Sequence, residues 1–307
     1  MQEGSEMEVL EGERTAFGKI IRGVGGFYYV DVTGEGVYEC RARGIFRKEK
    51  IKPLVGDNVR ICIQDDRDME GSVDEILPRH SQLIRPAAAN IDQVLLIIAA
   101  ADPKPNFNLL DRFLIYMHRQ DIPVTILLNK ADLVEKKCLE EYASWYSNSG
   151  SDVLCASILR GDGLEEVLKR MEGKTTMLAG PSGVGKSSLT NRLVPDAAME
   201  VGEISRKIRR GKQTTRHTQI HRIGENAFLL DTPGFSSLFL PEMTQAELQE
   251  CYPEFARYEE QCRFQGCAHI NEPECAVKEA LEKGEIARIR YENYRMLLEE
   301  LRSMRRY

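Results

Sequence analysis

Short apolar runs divide the chain into two patterns. Between residues 15 and 77 the segments GKIIRG, FYYVDV, GVYECRARG, DNVRICIQ and GSVDEIL are rich in Val, Ile and Tyr and are separated by Gly or Asp turns. Five short strands within about 65 residues predict a small barrel, for which the OB-fold is the common solution; the periodicity leaves an SH3-like barrel open. PRHSQLIRPAAAN, from Pro78 to Asn90, has no clear period and reads as a linker. From Ile91 the pattern alternates between apolar strands (DQVLLIIAA, IPVTILLN, SDVLCAS, KTTMLAG) and amphipathic helices (NLLDRFLIYMHRQ, EKKCLEEYASWYSNSG, GLEEVLKRM, GKSSLTNRL). Near-continuous apolar strands alternating with helices predict a parallel, doubly wound α/β sheet covered on both faces. A hairpin, HTQIHRIGENAFLLD, leads out, and from Pro241 the chain turns helical and cysteine-bearing. The expected organisation is therefore multidomain: a β-barrel over 1–78, a linker over 79–90, an α/β domain over 91–240 and a helical domain over 241–307.

Composition narrows the setting. The longest apolar run, Val94 to Ala101, falls short of the roughly 18 residues of a membrane span. The start, MQEGSEMEVLEGERT, is too acidic and polar for a signal peptide, so a cytoplasmic location is expected. The eight cysteines then read as reduced thiols or metal ligands. Cys40, Cys62, Cys138 and Cys155 fall in apolar strands or a helix and are expected in the core, and Cys251 is a spare thiol. A net charge of −6 argues against coating nucleic acid by bulk charge. The charge is uneven, however: six basic residues lie between Arg41 and Lys52, six more between Arg206 and Arg216, and the tail carries Arg288, Arg290, Arg295, Arg302, Arg305 and Arg306. One such run is usually a solvated face; two dense patches on an acidic chain point to an anionic partner such as RNA.

The chemistry sits in short motifs. GPSGVGKS, Gly180 to Ser187, follows a predicted strand and opens a predicted helix, the setting a P-loop requires. Gly183 and Gly185 let the backbone turn successive N–H groups toward one anion, and the helix start adds its positive dipole end. Gly180, Val184, Lys186, Ser187 and Ser188 complete the expected phosphate site, with Lys186 reaching the β- and γ-phosphates and Ser187 on Mg²⁺. DTPG, Asp231 to Gly234, ends an apolar strand; Asp231 is placed to hold Mg²⁺ and the Gly234 N–H to sense the γ-phosphate. NKAD, Asn129 to Asp132, resembles the N-K-x-D motif with which the translation-factor class of GTPases reads guanine. A carboxylate at Asp132 can accept the paired N1–H and N2–H donors of guanine, which adenine lacks. Asn129 would brace the loop and the stem of Lys130 would cover the ring; alternatively Asp132 caps a helix starting at Leu133. Cys155-Ala156-Ser157 fits a short second base motif in which the Ala156 N–H meets guanine O6. Cys262-x4-Cys267-x-His269-x5-Cys275 offers three sulfurs and one imidazole within fourteen residues, a complete tetrahedral set for one structural Zn²⁺.

The base motifs precede the phosphate motifs, the reverse of the usual order. This permutation, with the flanking barrel and cysteine-bearing tail, resembles the RsgA (YjeQ) family of small-ribosomal-subunit-dependent GTPases. The resemblance covers nearly the whole chain and implies a circularly permuted GTPase domain over 91–240, an RNA-binding barrel and a zinc-binding tail. It also implies hydrolysis of GTP to GDP stimulated by the small ribosomal subunit and its rRNA, in late maturation of that subunit, by a monomer. RRGKQTTRHT, Arg209 to Thr218, resembles the family's first switch. Thr215, with Thr214 as the close alternative, would reach Mg²⁺ and the γ-phosphate. Gln213 stands where the family usually has a histidine proposed to position the attacking water, so the catalytic set reads Gln213, Thr215 and Lys186. His217 reads as structural or RNA-facing. Phe235 replaces the water-positioning Gln of Ras-like enzymes, which predicts slow unstimulated hydrolysis. The alternative reading is a nucleotide-gated rRNA-binding module with negligible turnover; NKAD disfavours a P-loop kinase.

Overall fold

The computed structural model describes residues 14–44, 46, 51–84, 86–194, 218–231 and 238–304. They fall into two compact units, residues 1–90 with 216–220, and residues 91–215 with 221–307.

The first unit is built on strands β1 (Thr15–Val24), β2 (Phe27–Val32), β3 (Gly36–Ala42), β4 (Asn58–Asp65) and β5 (Glu70–Ile76). They close in the order β1-β2-β3-β5-β4-β1, with β3 and β5 parallel and the other pairs antiparallel. That connectivity is the OB arrangement and removes the SH3-like alternative. Period-two alternation supplies the interior: Ile20, Val30, Tyr38, Cys40, Val59, Ile61 and Val73 form one buried cluster.

The segment read as a linker is structured. Strands β6 (Gln82–Leu83) and β7 (Ala88–Ala89) form a two-stranded ladder, and the Ala89 N–H donates to the Val55 carbonyl at 2.9 Å. Buried Asn90 donates to the Gly56 carbonyl at 3.1 Å and accepts from the His80 N–H at 3.0 Å. Arg79 grips buried Asp57 with two bonds, 2.6 and 2.8 Å. These polar anchors act with three scattered buried residues, Leu83, Ala88 and Ala89, which are too few to give the sequence a readable period.

The second unit centres on five strands, β8 (Gln93–Ala99), β9 (Val124–Asn129), β10 (Asp152–Ala156), β11 (Thr175–Ala179) and β13 (Phe228–Asp231), in the order β10-β9-β8-β11-β13. All their pairings are parallel. The short strand β12 (Gln219–Arg222) precedes β13. Helices α1 (Phe107–His118), α2 (Lys136–Tyr146), α3 (Leu164–Met171) and α4 (Lys186–Leu193) connect the strands. Every residue of β8 is buried, and its one polar residue, Gln93, is satisfied by the Arg170 carbonyl and Thr176 hydroxyl at 2.8 and 3.0 Å.

The carboxyl-terminal part holds α5 (Gln245–Glu250), opened by a Thr244–Glu247 capping box, then α6 (Pro253–Glu259), α7 (Ala276–Glu282) and α8 (Arg288–Met304). Its core includes Ile115 of α1, so these helices share apolar contacts with the α/β part. The contact is also ionic. Arg290, grouped with the basic tail in the sequence reading, is fully buried and does not face a partner. It donates to Asp111 at 2.5 Å and to Glu254 at 2.7 and 3.2 Å, and it stacks over Tyr252 and Tyr146. The thiols also divide differently: Cys40, Cys62 and Cys251 are buried, but Cys138 is only half-buried and Cys155, near the end of β10, is exposed.

Candidate nucleotide site and metal centre

In an all-parallel sheet the carboxyl ends of the strands share one edge, which is where ligands bind in open α/β folds. Asn129 and Ala156 are register partners there, as are Leu178 and Asp231. Asn129 is the joint: its Nδ2 donates to the Val184 carbonyl of the phosphate loop at 2.7 Å, and its Oδ1 accepts from the Ile158 N–H of the second base loop at 3.0 Å. Gly185 (φ +104°) is required at this joint, because a Cβ on it would lie 2.2 Å from Asn129 Nδ2.

Asp132 lies inside a 3₁₀ turn, Ala131–Leu133, and α2 begins only at Lys136 with Glu135 as its cap, so the helix-cap alternative is not realised. A hydrogen bond from the Ser157 hydroxyl, assisted by the charges of Arg160 and Lys130, holds the Asp132 carboxyl below the usual carboxylate range against partial desolvation. Arg160 Nε stands 3.6 Å from Asp132 Oδ2. The carboxylate is therefore ionised at neutral pH, as a double acceptor must be. Lys130 has a left-handed backbone (φ 62°), and its ammonium donates to the Asp102 carbonyl. Ala156 and Ser157 are buried beside this turn.

Lys186, at the head of α4, is buried and donates to the Gly180 and Pro181 carbonyls at 2.7 and 2.5 Å. Burial depresses its pKa to about 8, a shift that the Asp231 carboxylate partly offsets. Ser187 and Ser188 follow in the first turn of α4, half-buried, and Asp231 ends β13. Val184 is buried, while Gly183 is exposed. Gln213, Thr214, Thr215, His217, Gly234 and Phe235 lie outside the described residues.

The cysteine motif converges. One donor atom from each of Cys262, Cys267, His269 and Cys275 lies within 4.8 Å of the others. His269 Nδ1 faces sulfur, 3.3 Å from Cys275 and 3.7 Å from Cys262. Three thiols and one imidazole at this spacing could hold a metal ion, and four protein ligands would fill a tetrahedron. The site is held from outside: Tyr291 and Tyr294 hydroxyls donate to the His269 and Ala268 carbonyls at 2.6 and 2.9 Å, and Gln249 donates to the Cys267 carbonyl at 2.6 Å. On the far side of the ring, His269 Nε2 and Glu259 Oε1 face each other at 3.6 Å, both buried and neither with another hydrogen-bond partner. The motif spacing revealed the ligands; it carried no sign of Glu259, nor of the double role of Asn129.

One side chain thus spans a base loop and a phosphate loop that the chain visits in inverted order, and this arrangement defines a circularly permuted P-loop GTPase. The family model described as RsgA GTPase matches residues 76–241, and that described as RsgA N-terminal domain matches 17–72. The chain belongs to the RsgA family of small ribosomal subunit biogenesis GTPases. It is 52% identical over 300 residues to the small ribosomal subunit biogenesis GTPase RsgA of Agathobacter rectalis, covering 94% of this chain and 99% of that protein. It is similar to the crystal structure of YloQ, a circularly permuted GTPase (TM-score 0.77, 37% identity, 97% and 99% of the two chains), and to that of YjeQ from Thermotoga maritima (0.78, 32%, 94% and 99%).

Proposed function

We propose that this GTPase acts on the small ribosomal subunit itself, late in its maturation, and that contact with the subunit and its rRNA stimulates hydrolysis of GTP to GDP. The nucleotide part of this reading is supported by the Asn129 bridge, which ties Val184 and Ile158 to the end of the strand that leads into Asp132. In this reading Asp132, Ala156 and Ser157 read guanine, Lys186 and the loop N–H groups bind phosphates, and Ser187, Asp231 and Thr215 hold Mg²⁺. The ion would neutralise charge on the β- and γ-phosphates. Gln213 positions the water, its amide able to donate and accept. Domain roles follow the sequence reading: barrel 1–78, GTPase 91–240 and tail 241–307, with Zn²⁺ as the tail's metal.

The barrel's outer face supports an rRNA partner. Arg22 lies 3.8 Å over the Tyr29 ring and Arg41 4.7 Å over Phe27, cations and aromatics interleaved across β1, β2 and β3. The names of the relatives support the small subunit as that partner. Among the described residues no helix is long and apolar enough to cross a membrane. A cytoplasmic monomer, expected from the sequence, is kept as part of the proposal.

Hydrolysis measured with and without purified small subunits tests the proposal. Stimulation supports it, whereas unstimulated, negligible turnover with nucleotide-dependent rRNA binding would replace it with a gated binding module. Within it, Gln213→Ala lowers stimulated turnover at least about tenfold; unchanged turnover removes Gln213 from the mechanism.

A further inference from the structure

We propose that Arg192, on the phosphate-binding helix, is a positioning residue for guanine recognition. It sits in the last turn of α4, and its Nη1 donates to the Ile158 carbonyl at 2.7 Å and to the Leu159 carbonyl at 3.5 Å. The peptide groups of Ile158 are therefore gripped from two sides, the N–H by Asn129 and the carbonyl by Arg192. The Ile158 side chain is buried in the sheet core, which pins the residue a third time. Ile158 directly follows Ala156-Ser157, and Ser157 supplies the hydrogen bond that sets the Asp132 carboxylate.

Beyond Ile158 the loop is tied by the Ser157 N–H to the Asp162 carbonyl at 2.9 Å and by Arg160, 3.6 Å from Asp132, while its tip is open. Leu159 is 86% exposed, and the Arg160 side chain is mostly exposed. The loop closes on itself through Gly161 N–H to the Ser157 carbonyl at 2.7 Å and Arg160 N–H to the Ser157 hydroxyl at 3.2 Å, but those bonds fix its shape, not its place. Gly161 (φ +93°) leaves room for the guanidinium: a Cβ there would lie 2.9 Å from Arg192 Nη2. Arg192 thus ties the base loop to the helix whose head carries Lys186, so the separation between base site and phosphate site is set at both ends of α4. Both bonds come from one nitrogen, so a lysine ammonium that reached the same place would recover part of the tie.

This inference rests on the proposed reading of loop 156–161 as the guanine site. The test uses the full-length protein with GDP and with IDP, which lacks the 2-amino group. Arg192→Met keeps the stem and removes the donors; Arg192→Lys keeps the charge and most of the packing. The expected result is a GDP dissociation constant raised about tenfold in Arg192→Met, with a smaller GDP-over-IDP preference, a raised KM for GTP and an unchanged kcat at saturation. Arg192→Lys falls between Arg192→Met and the unsubstituted protein. If Arg192→Met matches the unsubstituted protein in both base preference and KM, or loses only thermal stability, the proposal is overturned. If Arg192→Met does not fold, Arg192→Lys decides by the same two measures. Failure of the unsubstituted protein to prefer GDP over IDP would instead overturn the guanine reading of Asp132, a separate result.

Discussion

Two side chains carry opposite demands on charge. In the proposed site Asp132 accepts from guanine as the carboxylate, a form that the Ser157 hydroxyl favours further. Asp132→Asn places a donor against donors; GTP affinity falls at least about 100-fold and XTP, whose xanthine has a carbonyl at C2, binds in its place. Competition of the two nucleotides for the purified variant measures this. In the same proposed site Lys186 binds phosphate as the ammonium, yet burial brings its pKa to about 8. The unfolded chain keeps that proton to a pKa near 10.5. Stability of the nucleotide-free protein therefore rises with pH between these values, because the unfolded state binds more protons there. Nucleotide binding works the other way. Phosphate charge pulls the lysine pKa back up, so GDP affinity is fully present below about pH 8 and is lost as pH rises beyond it, by up to tenfold per unit. Fluorescent-GDP titrations from neutral pH to about pH 9 should show this slope, and Lys186→Met should lose it along with most of the affinity.

Between elements, a buried ionic cluster joins the two halves of the second unit. Asp111 of α1 accepts from Arg290 at 2.5 Å and Asn293 at 2.8 Å on α8, and from the Tyr146 hydroxyl at 2.9 Å on α2, while Glu254 of α6 completes the shell around Arg290. Arg112 adds a second tie to Glu300 of α8. Removing one partner strands a charge with no water. Arg290→Met should therefore cost about 3–5 kcal/mol, read by chemical denaturation, because it leaves Asp111 and Glu254 buried without their cation. Replacing Arg290, Asp111 and Glu254 together by apolar residues should restore much of that loss; if the single and triple variants are equally unstable, packing and not charge is at issue. The metal centre is a second junction of this kind. Glu259→Gln removes the carboxylate facing His269 Nε2 and should weaken zinc affinity about 10–100-fold in chelator competition, with Glu259→Ala weaker still. Affinity unchanged in both would show that the imidazole needs no outer partner.

Across the molecule, the permuted order builds the tail into the α/β part. The chain after β13 leads into helices whose core takes in Ile115 of α1 and whose Arg290 satisfies Asp111. Truncation at Pro241 therefore does not leave an intact GTPase domain: it strips Asp111 of Arg290 and Asn293 and exposes the apolar face of α1. Such a truncated chain should bind GDP poorly because it is unstable, and lowered melting temperature alongside lost binding checks this. Metal removal perturbs the tail without this loss. Chelation should loosen residues 262–275, seen as faster amide exchange there, while α8, held by its ionic ties to α1, stays protected longer.

Local order was already written in the chain: five barrel strands, the alternation of strand and helix, and the clustering of Cys262, Cys267, His269 and Cys275. Period and short-range spacing encode these, and each needs only neighbours a few residues away. The joints were not legible. Asn129 meets Val184 across 55 residues, Arg192 meets Ile158 across 34, and Arg290 meets Asp111 across 179. A polar side chain buried by one long-range partner has the same local signature as one left in water, which is why Arg290 read as a basic surface and the segment before Asn90 as a linker. Only the packed fold distinguishes them, because burying a polar group is tolerated where a specific partner arrives from elsewhere in the chain.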